Sequence, residues 1–182
     1  MKRLATVGMA ALVFAGCADG RVIATVDVLS FIDPAARQVA YGPIPGGTSG
    51  TVQSPVQTFE ILEGVGGSTV LDSVRVSGDA DIENVTGGGT FIIRIYFDSM
   101  PTPYSGTAAI VVNGSVAPGQ TTVVTFDEEL SQEARAVFEN PQVFMGVEAE
   151  FQSTDLPLTT TLEGTVIVRA LLARLVARED IF

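Results

Sequence analysis

The chain contains no histidine and no tryptophan. Without His it lacks the usual general base near neutral pH and the commonest metal ligand. Lysine occurs once, at Lys2, so the rest of the chain has neither a Schiff-base lysine nor a phosphate-loop lysine. Cysteine also occurs once, at Cys17. One cysteine makes no disulfide within the chain and no cysteine-ligated zinc site. Tyrosine is confined to Tyr41, Tyr96 and Tyr104, so stacking platforms for sugars are scarce. Positive charge is short as well, with 10 Lys and Arg against 21 Asp and Glu and a net charge of −11. So acidic a chain repels phosphate backbones, which excludes nucleic acid as an expected partner.

What remains is apolar and lightly charged. Hydrophobic residues make up 46% and charged residues 17%, a balance that can bury a core. Val, Ile, Leu and Phe come in short runs cut by Gly, Pro and Thr, which favours strands. The 182 residues suit one domain.

The first seventeen residues follow a different pattern. Lys2 and Arg3 precede Leu4 to Ala15, a stretch apolar apart from Thr6. It is shorter than the ~20 apolar residues a membrane span requires. It fits the apolar region of a signal peptide. A secretory signal cut elsewhere, or a buried N-terminal helix, is the bland alternative. Phe14-Ala15-Gly16-Cys17 resembles the lipobox of bacterial lipoproteins, with Phe14 where that family usually has Leu. The resemblance implies cleavage before Cys17 and a diacylglyceryl thioether on its sulfur, usually with an added N-acyl chain. It divides the chain into a signal peptide at 1–16, a lipidated cysteine and tether at 17–20, and a domain at 21–182. Ala18 rather than Asp after the cysteine resembles the pattern directed to the outer membrane. The mature part, with eight arginines against 21 acids, carries −13 and would be held off an anionic surface, so the lipid must do the anchoring.

Along the domain, period-two alternation predicts strands at 21–32, 52–62, 70–84, 90–98, 107–112, 120–127 and 142–151. In the third, Val70, Val74, Val76, Ala80 and Ile82 share a face, with Gly78 as a candidate bulge. In the fourth, Phe91, Ile93, Ile95 and Phe97 do. These two strands read as an antiparallel hairpin across Gly87-Gly88-Gly89. Residues 35–54 read as loop, 64–68 as a glycine turn and Asn113-Gly114 as a hairpin turn. Ser131 to Glu139 reads as a capped helix. The last unit alternates over 159–168, and 169–180 is either helix or a continued strand with a bulge near Ala173. Period two over Val166 to Leu172 favours the strand. The expected fold is an all-β antiparallel sandwich, immunoglobulin-like or jelly-roll-like, of about 7–8 strands with one short helix.

Asp79, Asp81 and Glu83 place carboxylates at every second residue. A calcium loop would need glycine and glutamate where Asn84 and Thr90 stand, so the expected metal content is none. The solvent face of a strand alternates in the same way. A calcium site shared with another loop is the alternative. Asp127-Glu128-Glu129 read as acids stabilising the following helix N-terminus. Cys17 is the one residue assigned chemistry, and that chemistry is lipidation; no catalytic residue and no cofactor are expected. The expected function is a non-enzymatic structural, assembly or binding role in the cell envelope, with the membrane and an envelope protein as partners. Two rivals remain: a carrier of an apolar ligand held between the sheets, and a carboxylate-based hydrolase.

Overall fold

A computed structural model describes residues 13–14, 21–60, 69–155 and 160–179. Cys17, most of the expected signal peptide, the expected tether and the expected glycine turn at 64–68 lie outside the described residues. The described strands are β1 (Val13–Phe14), β2 (Arg21–Asp27), β3 (Gln38–Pro45), β4 (Ser49–Gln53), β5 (Gln57–Phe59), β6 (Thr69–Thr86), β7 (Gly89–Asp98), β8 (Ile110–Val116), β9 (Thr121–Glu129), β10 (Val143–Ser153) and β11 (Thr161–Glu179). Eight of them have seven residues or more. The one α-helix described is α1 (Gln132–Ala136). All pairings are antiparallel and form two sheets.

β11 is the spine of the first sheet. It pairs with β6 along its length, and its other edge takes β3 in its first half and β2 in its second. β1 extends the sheet beyond β2, and β9 extends it beyond β6. The second sheet is built on β10, with β7 and then β8 on one side and β4 and β5 on the other. The strand reading of 169–179 therefore holds over the helix propensity of Ala170 to Leu175. A strand there buries Leu171, Ala173, Leu175 and Ala177 at every second place. The register slips at Arg169, where Val168 faces Ala80 and Ala170 faces Asp79. That bulge lies at Arg169, not near Ala173. A second slip leaves Asp72 unpaired on β6 and puts Leu71 in the core, so the simple alternation counted from Val70 stops there.

Four further expectations need correction. β6 and β7 do not form a hairpin: they belong to different sheets, and Gly87-Gly88 is a corner between them. Each strand buries one face, and those faces meet across the sandwich instead of lying side by side. Residues 35–54 are not a loop but contain β3 and β4; the first strand stops at Asp27, where a 3-10 turn begins at Val28. Asn113-Gly114 is not a turn but lies inside β8. A Cβ on Gly114 would sit 2.6 Å from the Phe91 ring, so glycine is there to admit the aromatic, not to reverse the chain.

The corner has its own polar lock. The Tyr41 hydroxyl donates to Asn84 Oδ1 at 3.0 Å, and Asn84 Nδ2 donates to the carbonyls of Gly87 at 2.6 Å and Ala117 at 2.9 Å. Asn84 is 3% exposed. Gly87 has φ +68°, and a Cβ there would meet the Thr161 carbonyl at 2.6 Å. One side chain thus ties β6 to the turn after it, to the loop before β9, and through Tyr41 to β3. Burial pushes the Tyr41 hydroxyl up from 10.0 to about 12. A neutral Tyr41 supports the fold fully below about pH 10, and that support is lost as pH rises toward 12, because the unfolded chain ionises first. Urea midpoints measured across that window should fall in the wild type. The fall should be smaller in Tyr41→Phe.

Candidate functional site

Asp81 and Glu83 lie on the outer face of β6, and Asp79 also borders a cavity between the sheets. Asp81 is not free to join a shared cation site. Arg169 holds it with Nε at 2.8 Å and Nη2 at 2.7 Å. The bulge at Arg169 places that cation opposite the acid. Glu83 is exposed, and among the described residues no three acidic side chains gather where they could hold a metal ion.

Asp127, Glu128 and Glu129 end β9 and do not precede the helix directly. Asp127 makes a paired contact with Arg75, at 2.6 Å to Nε and 2.9 Å to Nη2. That hydrogen bond, with the guanidinium charge behind it, holds the Asp127 carboxyl below its usual range. The acid at the helix start is Glu133. Its own backbone amide and then the Ser131 hydroxyl hold it below the usual carboxylate range. Ser131 caps α1 as expected, accepting from the Ala134 amide at 3.3 Å.

Glu133 faces a cleft of about 500 Å³ between α1 and the segment after β7. Asp98, Thr107 and Ser131 supply its other oxygens, and Phe97, Ala109 and Val137 its apolar wall. A carboxylate hydrolase needs one of its two acids held protonated, that is, pushed up. Glu133 is moved the other way.

A different arrangement lies between the sheets. Two apolar cavities of about 40 Å³ each share the walls Ile32, Met145, Val147, Val166 and Val168. The inner one reaches Ile93 and Phe126; the outer one is rimmed by Arg37, Ser54 and Gln57. Pro55 makes this rim. It interrupts the edge of the second sheet, so that β4 and β5 are separate strands flanking residues 54–56. The carrier expectation named Phe91, Ile93, Phe97, Phe126 or Phe151 as the lining of a large pocket. Only Ile93 and Phe126 line these cavities. Phe91 and Phe151 pack on each other at 6.3 Å, and Phe97 packs on Phe138 at 5.0 Å. At about 40 Å³ each cavity exceeds the ~10–15 Å³ one water needs. Each falls far short of the ~300–1,000 Å³ typical of drug-sized ligands.

Arg37 was not singled out from the sequence. It ends the 3-10 turn Pro34–Arg37 and reaches back to the preceding turn, its Nε donating to the Ile32 carbonyl at 3.2 Å and its Nη2 to that of Leu29 at 2.9 Å. Among the described residues it makes no ion pair. The available signal was its isolation: no other Lys or Arg occurs between Arg21 and Arg75.

The outer face of the second sheet is closed by a polar network. Arg94 bridges Glu148 at 3.2 Å and Glu150 at 3.0 Å, and the Tyr96 hydroxyl donates to Glu148 at 3.3 Å. Tyr104 lies over Gly146, where a Cβ would come within 2.6 Å of its ring. Tyr96 is buried in this network and Tyr104 is half-buried over the sheet.

Fold and site together define the class: a two-sheet antiparallel β-sandwich with a small apolar slot. No protein-family model matches the chain, and no curated protein matches it. Among solved structures it is similar to chains of infectious bursal disease virus. For the Gt strain the identity is 15% and the TM-score 0.49, covering 90% of this chain and 37% of the other. For the Gx strain the identity is 13% and the TM-score 0.47, covering 89% and 38%. The chain thus spans less than two-fifths of the length of these structures, and the likeness assigns it no activity.

Proposed function

We propose that this is a lipid-anchored protein of the bacterial cell envelope, with a non-enzymatic structural, assembly or binding role. The observation that carries the reading is the order of the first seventeen residues: two cations, an apolar stretch too short to span, then Phe14-Ala15-Gly16-Cys17. No helix among the described residues is long and apolar enough to cross a membrane. Attachment through Cys17 would hold the domain by acyl chains worth about 0.8 kcal/mol per buried CH₂, with more than one chain needed for stable anchoring. β2 begins at Arg21, four residues after Cys17, so such an anchor would keep the sandwich near the bilayer. Ala18 favours the outer membrane over the inner. Labelled palmitate fed to the native cells should enter the wild type and not Cys17→Ala. Equal labelling of the two would remove this reading.

A further inference from the structure

We infer that the slot between the sheets binds a short-chain carboxylate, with its anionic head on Arg37 and its first few methylenes in the outer cavity. This rests on the binding arm of the function proposed above.

The cavity wall sets the tail. Val52, Val147, Ala149, Val166 and Val168 line the outer chamber with Met145 between it and the inner one. Water gains nothing in such a lining, because it needs two to four polar partners. A hydrocarbon chain loses no hydrogen bonds there. The volume of about 40 Å³ admits a few carbons and no more. Met145 is the adaptable part of the wall, since an unbranched thioether side chain repacks at little cost.

The rim sets the head. Arg37 is the one cation lining either cavity. A guanidinium has five N–H donors, and two of Arg37's are taken by the Ile32 and Leu29 carbonyls. Those two bonds fix the group at the mouth and leave donors for a carboxylate. No carboxylate of the described chain forms an ion pair with it. In a chain of net charge −11, a half-buried arginine without an acid is an attraction for an anion that most of the surface repels.

The test uses the full chain carrying Cys17→Ala, so that no acyl group of its own competes and the outcome is independent of the lipoprotein reading. Propanoate, butanoate, pentanoate and hexanoate are titrated while the methyl resonances of Met145, Val147 and Val168 are followed. Saturable 1:1 binding is expected, tightening about fourfold per methylene and levelling off once the cavity is full. Arg37→Gln should weaken hexanoate at least tenfold and leave hexanol unchanged. Val168→Phe should abolish both; Val147→Ile, a milder filling, should weaken both if the larger side chain prevents folding. Absence of saturable shifts at those methyls overturns the inference. So does hexanoate binding that survives Arg37→Gln undiminished, or that is independent of chain length.

Discussion

Phe151→Ala should lower the free energy of unfolding by about 3–5 kcal/mol. Phe151 is 0% exposed and lies on β10's inner face, two residues before the strand's end. Its ring stacks on Tyr41 at 3.8 Å between centroids, with the planes 9° apart, and leans on Phe91 at 6.3 Å. Tyr41 comes from β3 of the first sheet, and Phe151 and Phe91 come from the second. The ring is therefore a contact that joins the two layers. Its loss removes buried apolar area and leaves a cavity that flanking strands, hydrogen-bonded on both sides, cannot close. Most domains are stable by only ~5–15 kcal/mol, so this single change takes a large share. Urea denaturation should show a lowered midpoint with an unchanged slope. A loss below about 1 kcal/mol would mean that the stack does not join the sheets.

Asn84→Ala should cost a comparable amount by a different route. It strips the donor from the buried Gly87 carbonyl and from the part-buried Ala117 carbonyl, and the acceptor from the Tyr41 hydroxyl. Each buried polar group left unsatisfied costs about 1–3 kcal/mol, whereas the bond it replaces contributes only about 0.5–1.5 kcal/mol. Asn84→Asp is the sharper probe: it keeps an acceptor for Tyr41 and turns both donors into an acceptor facing carbonyl oxygens. It should be at least as damaging as alanine. Tyr41→Phe removes the hydroxyl that Asn84→Ala would strand, so the double variant should lose less than the two single losses added. Strict additivity would show that Tyr41 and Asn84 act separately.

Much of the fold was legible because burial on one face leaves a period of two. Val74, Val76, Ala80 and Ile82 on β6, and Phe91, Ile93, Ile95 and Phe97 on β7, are core residues as their spacing indicates. Pairing was not legible. Alternation shows which face of a strand is buried but not which strand lies beside it, and so 70–98 looked like a hairpin when it is a corner. The feature that decides the matter, Asn84 reaching Tyr41 across 43 residues, has no local signature. Glycine and proline misled for a related reason. Gly42-Pro43 and Pro45 look like loop, yet they sit in β3, which pairs with β11. Gly114 is small to admit Phe91, a demand made by a neighbouring strand and not by its own backbone.

The candidate site was less legible still. Asp79, Asp81 and Glu83 alternate as a strand's face does, but the pairing of Asp81 with Arg169 depends on an 88-residue separation. Arg37 gains its interest only from the cavity it borders, which arises from Pro55 splitting one edge strand and from the turns that cover it. The acidic run at 127–129 was assigned to the helix because the strand's end could not be placed to within two or three residues.

The proposed anchor at Cys17 is tested most directly by the mass of the N-terminal peptide of the protein extracted from its native cells. After trypsin, cleavage before Cys17 leaves the peptide Cys17-Ala18-Asp19-Gly20-Arg21. A diacylglyceryl thioether on its cysteine, with or without an N-acyl chain, is the expected mass. A peptide with an unmodified Cys17, or one showing that the leader was cut elsewhere or retained, would contradict the anchor.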